Sequence, residues 1–170
     1  VEKHDMNIRL SLLACAAVVN FSAVQAKTPI EENRPIAADG LVEIDNLAGS
    51  VEVATWDKLE VQVSGELGED VEKLEIQESA TGVKIRVRNP QNQRNVDETI
   101  LRLLVPATVS VQAESISADL TVRGLNGSSL AFATVSGDLS AEVQTQRLEV
   151  ESVSGDISFA GATPRASVET

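Results

Sequence analysis

Apolar and polar residues alternate over short stretches along most of the chain, as expected for β-strands that bury one face. In the last third, this alternation is combined with a repeat. Leu130 to Ser140 reads Leu-Ala-Phe-Ala-Thr-Val-Ser-Gly-Asp-Leu-Ser, and one period later Leu148 to Ser158 reads Leu-Glu-Val-Glu-Ser-Val-Ser-Gly-Asp-Ile-Ser. A fixed period of this length predicts units that bury their apolar faces by stacking on copies of themselves.

Each repeat unit reads as two short strands and two corners. Leu148 and Val150 alternate with glutamates and are expected to point inward. The next apolar residue, Val153, breaks this parity, so we expect a corner near Ser152 that turns Val153 inward and a second bend at Gly155. The pattern predicts an all-β protein, a flattened parallel β-solenoid with coils of about 18–19 residues.

Looser copies extend the pattern in both directions. Val111 to Thr121 aligns one coil before Leu130 to Ser140, and Ala166 falls one coil after Leu148. Near the start, Ile44 to Val53 matches the apolar pattern of Val150 to Phe159. These copies predict one solenoid domain over residues 40–170. The next copy is due where the sequence stops, so we expect the chain to be truncated at its C-terminus.

In the part of the chain before the clear repeats, the sequence predicts strands that are less regularly spaced. They are Leu41–Ile44, Ser50–Thr55, Leu59–Ser64, Leu74–Glu78, Val83–Arg88, Ile100–Val105 and Val109–Ala113, separated by Gly-rich and Asn-rich turns. Residues 27–39 contain two prolines and little periodicity, which predicts a flexible lead-in. Residues 90–97 predict an exposed loop, and the only helical turn expected lies at residues 69–73.

Residues 1–26 have the layout of a secretory signal peptide. A short basic start precedes an uncharged run, Leu10–Val19, and Val24-Gln-Ala26 forms a cleavage site of small residues. The run is shorter than the roughly 20 residues that a membrane-spanning helix needs. We therefore expect cleavage after Ala26 and export to the periplasm or cell surface. A lipoprotein anchored at Cys15 is disfavoured, because only five residues separate Arg9 from Cys15.

Removal of this segment restricts the chemistry of the mature chain. The only Cys, His and Met residues leave with it, and the chain contains no Tyr. Thiol and imidazole nucleophiles, zinc sites and disulfides are thereby excluded, and no cofactor or transmembrane segment is expected. The remaining 24 acidic and 12 basic residues keep the net charge at −12, which disfavours nucleic acid and anionic membranes as partners.

Two stretches resemble the bacterial putative-adhesin β-strand-repeat family. Gly40-Leu-Val-Glu-Ile-Asp-Asn-Leu-Ala-Gly-Ser-Val-Glu-Val53, followed by Trp56-Asp57, is similar to its opening. Leu104-Val-Pro106-Ala leading into repeated Val-Ser-Gly-Asp is similar to its second half. The resemblance covers about residues 38–170 and implies an exported, right-handed parallel β-helix, without identifying an active site.

Asp119, Asp138 and Asp156 recur at the coil spacing and predict a column of carboxylates about 4.8 Å apart. Stacked carboxylates repel each other unless a cation or amide groups compensate, so weak Ca²⁺ binding is one interpretation. The favoured interpretation is that each Asp accepts backbone N–H groups at its own corner.

Two other sites have a functional and a structural interpretation. Lys84, Arg86 and Arg88 share one face of a strand and could hold an anionic glycan, or pair with Glu75 or Glu78 on a neighbouring strand, which we favour. Trp56 could stack on a sugar ring, or cover the N-terminal end of the core, which we favour.

Two functions follow from these features. The favoured one is a non-enzymatic envelope protein, an adhesin or scaffold whose partner is an envelope protein or glycan. The alternative is a carbohydrate-active enzyme or a glycan-binding β-helix that uses surface carboxylates. An enzyme needs acids that converge in a groove, whereas these acids are spread along outward strand faces.

Overall fold

The computed structural model describes residues 28–69, 71–90 and 97–169, and within these ranges the chain forms strands and turns but no helix. The twelve strands are β1 (Thr28–Pro35), β2 (Leu41–Trp56), β3 (Glu60–Leu67), β4 (Lys73–Glu78), β5 (Gly82–Arg88), β6 (Thr99–Pro106), β7 (Ser110–Arg123), β8 (Ser129–Ser136), β9 (Leu139–Gln144), β10 (Arg147–Ser154), β11 (Ile157–Ala162) and β12 (Ala166–Glu169). They belong to one branched sheet. The all-β prediction is confirmed. The signal peptide prediction and most of the predicted loop at 90–97 lie outside the described residues.

No helix that could cross a membrane occurs in the described ranges.

The long strand β2 lies at the centre of the sheet. It pairs in parallel with β7 along its length, from Leu41 opposite Ser110 to Val53 opposite Val122. Its other edge is shared, since the first half pairs with β5 and the second half with β6, both in parallel. β4, β3 and β1 are added by antiparallel pairing with β5, β6 and β3, respectively. The N-terminal half is therefore the less regular part, as predicted.

From β7 onward, the sheet continues as two rows of parallel strands. One row runs β7, β8, β10, β12 and the other runs β7, β9, β11. Leu148 lies opposite Leu130, and Ala166 lies opposite Leu148. Val111 lies opposite Leu130, as the predicted alignment of the earlier coil requires. Residues that lie one sequence period apart are thus paired on neighbouring parallel strands.

Inward side chains from both rows join one apolar cluster. Ile44, Ala113, Phe132 and Val150 occupy equivalent positions on β2, β7, β8 and β10. At the far end, Val53, Val122, Ala141 and Phe159 do the same on β2, β7, β9 and β11. The predicted match of residues 44–53 to residues 150–159 is therefore confirmed. A fully buried Leu or Phe side chain contributes about 1.5–3 kcal/mol, so these columns supply much of the folding free energy.

The prediction that Val153 points inward is wrong. Its side chain is 76% exposed, whereas Ser152 is buried. The alternation continues as far as Val153, and the buried Ser152 hydroxyl donates a hydrogen bond to the carbonyl oxygen of Ser154 at 3.1 Å. A buried hydroxyl with a partner is tolerated, so the apolar residue is not forced to take the inner position.

The corner predicted near Ser152 is absent, because β10 continues to Ser154. The chain bends at Gly155 and Asp156, where the second bend is predicted. Gly155 has a φ of 142°, and a Cβ placed there would lie 2.4 Å from the carbonyl oxygen of Gly137. The glycine is required both by the backbone conformation and by the close approach of the preceding repeat.

Residues 28–35 are not a flexible lead-in, which corrects the prediction for residues 27–39. They form β1, which pairs with β3 from Thr28 opposite Leu67 to Pro35 opposite Glu60. β1 is an edge strand, where Pro29 and Pro35 are tolerated because only one edge of the strand must donate hydrogen bonds. The prolines therefore mark the edge of the sheet.

Candidate functional site

The three predicted aspartates are exposed and connected by hydrogen bonds, with Asp119 within β7 and Asp138 and Asp156 at the corners that precede β9 and β11. The backbone N–H of Asp138 donates to Oδ1 of Asp119 at 3.0 Å, and that of Asp156 donates to Oδ1 of Asp138 at 2.8 Å. The favoured interpretation placed each bond within one corner. Instead, the donor belongs to the next repeat, because the parallel register brings each Asp amide over the carboxylate of the preceding unit.

Among the described residues, no three His, Cys, Asp or Glu side chains are grouped so that they could hold a metal ion. Calcium binding by Asp119, Asp138 and Asp156 stays a prediction. Two of these carboxylates already accept backbone amide groups, which is one of the ways in which stacked carboxylates are compensated.

Lys84 and Arg86 lie on the outer face of β5 and pair with acids of β2. Lys84 Nζ is 3.3 Å from Oε1 of Glu43, and Arg86 Nε is 2.7 Å from Oδ2 of Asp45. The preferred partners were Glu75 or Glu78, on the other neighbouring strand. β5 lies between β2 and β4, so the acids of β2 are equally adjacent.

Arg88 forms the pair that the sequence predicts. Its Nε lies 2.9 Å from Oε2 of Glu75, whose Oε1 is 2.7 Å from Nζ of Lys73. The hydrogen bond from Lys73, followed by that from Arg88, lowers the pKa of Glu75 from 4.5 to about 2. All three cations of β5 thus form salt bridges with acids of the chain. An anionic glycan would have to compete with these acids for the same cations.

Trp56 lies at the end of β2 and is only partly buried. Its Nε1 donates to the carbonyl oxygen of Glu60 at 2.8 Å, and Nζ of Lys58 lies 4.6 Å from the ring centroid. The ring therefore stabilises the turn between β2 and β3, with one face covered by a cation. It is not among the residues of the buried core.

A feature that was not predicted is a row of exposed apolar side chains, here called the apolar ladder: Ile116, Val135 and Val153. They are 52%, 48% and 76% exposed, respectively. Val153 lies between the pairs Ser152 opposite Thr134 and Ser154 opposite Ser136, which places it opposite Val135. Ile116 takes the equivalent place on β7, since the Thr134 hydroxyl lies 2.9 Å from the Ser115 hydroxyl.

A row of acids runs beside the apolar ladder, two residues earlier on each strand. This acidic column comprises Glu114, Glu151 and Glu169, with Ala133 in the gap on β8. In the described part of the chain, none of the three glutamates forms a salt bridge. Val135 and Val153 of the apolar ladder and the three glutamates of the acidic column line one open surface groove, together with Ser115, Thr134 and Ser152.

Strict alternation is the signal that could have found the apolar ladder. Continued through Ser152, it places Val153 outward, and the same count places Val135 and Ile116 outward. We interpreted the valine as a core residue because it is apolar, and so assigned the wrong face.

A model of the family described as Toastrack DUF4097 matches residues 41–168. The chain belongs to this family. The Toastrack match spans β2 to β12 and excludes β1. It confirms the resemblance to a β-repeat family of adhesin-like proteins.

Solved structures resemble this Toastrack chain despite low identity. A putative cell adhesion protein from Clostridium sporogenes is 8% identical, with a TM-score of 0.54 over 84% of this chain and 99% of that one. A putative adhesin from Parabacteroides distasonis is 12% identical, with a TM-score of 0.41 over 85% and 79%. A putative lipid binding protein from the same species is 15% identical, with a TM-score of 0.42 over 81% and 68%. The first likeness shows a shared fold.

No curated protein matches the chain.

Proposed function

We propose that this Toastrack protein is a non-enzymatic module of the bacterial cell envelope, exported to the periplasm or cell surface, that scaffolds or adheres through the outer faces of its stacked repeats. The apolar ladder is the observation that carries the proposal. Apolar side chains aligned on the surface of consecutive repeats are typical of a contact surface, whereas single exposed apolar residues are ordinary.

The placement of the carboxylates supports binding over polysaccharide cleavage. Hydrolysis of glycosidic bonds needs two carboxyl groups facing each other across the bond, roughly 5–10 Å apart. Here Asp119 and Asp138 are engaged by amides of the next repeat, and the acidic column follows one face of the sheet.

We also propose that the repeats wind as a right-handed parallel β-helix. The parallel pairing of strands one period apart supports the winding, and the strong preference of parallel crossovers for the right hand supports the handedness. The fold shared with the putative cell adhesion protein from Clostridium sporogenes is in keeping with an adhesive role.

Cell fractionation and a binding assay test the proposed function. The full chain with a C-terminal epitope, produced in its own bacterium, is expected in the periplasmic or surface fraction. Purified, labelled protein is expected to bind isolated cell envelopes saturably, and a Val135→Ser, Val153→Ser double variant is expected to lose that binding. Leu59→Ser is the matched control, because Leu59 is exposed but lies away from the apolar ladder.

Two results would overturn the proposal. One is residence of the epitope-tagged chain in the cytoplasm. The other is shortening of envelope polysaccharide by the purified protein, abolished by Asp138→Asn or Asp156→Asn, which would indicate an enzyme.

A further inference from the structure

We propose that the apolar ladder and the acidic column together bind a basic amphipathic α-helix of a protein partner. Its apolar side chains would contact Ile116, Val135 and Val153, and its Lys or Arg side chains would contact Glu114 and Glu151. This inference rests on the proposed function and names the chemistry of the partner.

Among the described residues, no cation forms a salt bridge with Glu114, Glu151 or Glu169, whereas the equivalent acid on β2 is paired with a cation. Asp45 lies opposite Glu114 and so begins the column on β2, where Arg86 neutralises it at 2.7 Å. Farther along, Glu151 lies opposite Glu169, at the roughly 4.8 Å spacing of paired strands. Like charges in this position repel each other. A cationic partner relieves that repulsion, as Arg86 does for Asp45 on β2.

The spacing of the two rows fits a helix. Successive members of the apolar ladder are about 4.8 Å apart, close to the rise of roughly 5.4 Å per helical turn. A helix that places one apolar side chain in each turn can therefore contact all three members of the apolar ladder with three successive turns. The acidic column lies roughly 7 Å to the side, two residues away along each strand, which flexible Lys and Arg side chains on the flank of a helix can reach.

Charge argues against two other occupants of this surface. A second copy would bring the acidic columns of two chains of net charge −12 together. An anionic membrane is repelled for the same reason. A basic segment is attracted at long range and held by apolar contact at short range.

The test is a titration of the purified full chain into a fluorescein-labelled synthetic helix of about 18 residues, with leucines along one face and lysines beside them. Saturable binding is expected from the rise in anisotropy. Val153→Ser is expected to weaken binding about fivefold or more, since it removes a buried apolar contact. Glu151→Gln is expected to weaken binding and to reduce its dependence on salt.

Each variant has a matched control on the same molecule. Leu59→Ser removes another exposed apolar side chain, and Glu142→Gln removes an exposed acid of β9. Both are expected to bind the lysine peptide as the unchanged chain does. Since all four positions are exposed, circular dichroism and the melting temperature should show that every variant is folded.

Several outcomes would overturn the inference. They are no saturable binding of the lysine peptide, equal binding of a peptide with glutamates in place of the lysines, and equal losses in the control variants. Sedimentation that shows a dimer lost on Val153→Ser would assign the apolar ladder to a second copy. Binding to phosphatidylcholine vesicles, lost in the same variant, would assign it to lipid. Fractionation does not enter this test, so a cytoplasmic location would overturn the proposed function alone.

Discussion

The backbone N–H of Asp156 donates to Oδ1 of Asp138 across 2.8 Å, so that a carboxylate of one repeat holds the corner of the next. Asp138 is bound to Asp119 in the same way at 3.0 Å. Glycine precedes both donors and allows close approach of the backbones at Gly137 and Gly155. The recurring Gly-Asp pair therefore acts as a joint between repeats, which explains its spacing without requiring a ligand.

Replacement of Asp138 tests this joint. Asp138→Ala leaves the Asp156 amide without its partner, so we expect the free energy of unfolding to fall by about 1–3 kcal/mol. Asp138→Asn keeps an acceptor oxygen and should cost less. Asp156→Ala is the control, because no side-chain hydrogen bond of Asp156 occurs within the described ranges. Urea denaturation followed by circular dichroism measures all three, and equal losses in Asp138→Ala and Asp156→Ala would contradict the role of the joint.

Calcium addition tests the alternative interpretation of the same column. We expect Ca²⁺ to leave the melting temperature within about 2 °C of its value in chelator, because a ligand stabilises only when it binds the folded state. Mg²⁺ serves as the control for ionic strength. A larger rise with Ca²⁺, absent in Asp138→Asn, would show that the aspartates form a cation site.

The repeat and the register of its strands could be predicted because the same residue types recur at a fixed spacing in the sequence. The Gly-Asp spacing predicts the offset between repeats and the alternation predicts the inner face, so Leu148 and Val150 were assigned correctly to the core. The match of Ile44 to Val150 held even though four strands of irregular spacing intervene between β2 and β7.

Three features were not predicted, each for a physical reason. The partners of Lys84 and Arg86 depend on which strand lies beside β5, and neighbour order in a sheet is not encoded by alternation. β1 lacks periodicity because an edge strand with an exposed face needs no regular apolar pattern. Val153 was misassigned because apolar character was weighed above position, although a hydrogen bond makes the buried Ser152 acceptable.

Aspartate substitutions at two valines of β10 test the corrected faces. Val150→Asp places an unpaired charge in the core and should lower the free energy of unfolding by several kcal/mol, or prevent folding of the C-terminal repeats. Val153→Asp lies on the surface and should stay within about 0.5 kcal/mol of the unchanged chain. Glu149→Ser is expected to change the free energy of unfolding as little as Val153→Asp does. Urea midpoints measure the differences, and a large loss in Val153→Asp would return that residue to the core.

Glu75 makes stability depend on pH in a defined direction. Hydrogen bonds from Lys73 and Arg88 lower its pKa to about 2, below the 4.5 of an unpaired Glu, so the ionised form favours the folded state. The stabilisation is complete above pH 4.5 and is lost as the pH falls through that value toward 2. We expect the urea midpoint of the unchanged chain to exceed that of Glu75→Gln at neutral pH, and the difference to shrink over this window.

The control for this titration is Glu142→Gln, since Glu142 forms no salt bridge in the part of the chain that the structure describes. Its urea midpoint should follow that of the unchanged chain at every pH. A gap between the unchanged chain and Glu75→Gln that stayed constant from about pH 6 to about pH 2 would mean that the glutamine acts through packing rather than charge. Because the Glu75–Arg88 salt bridge joins β4 to β5, a shrinking gap would also show that charge contributes to the stability of this antiparallel pair.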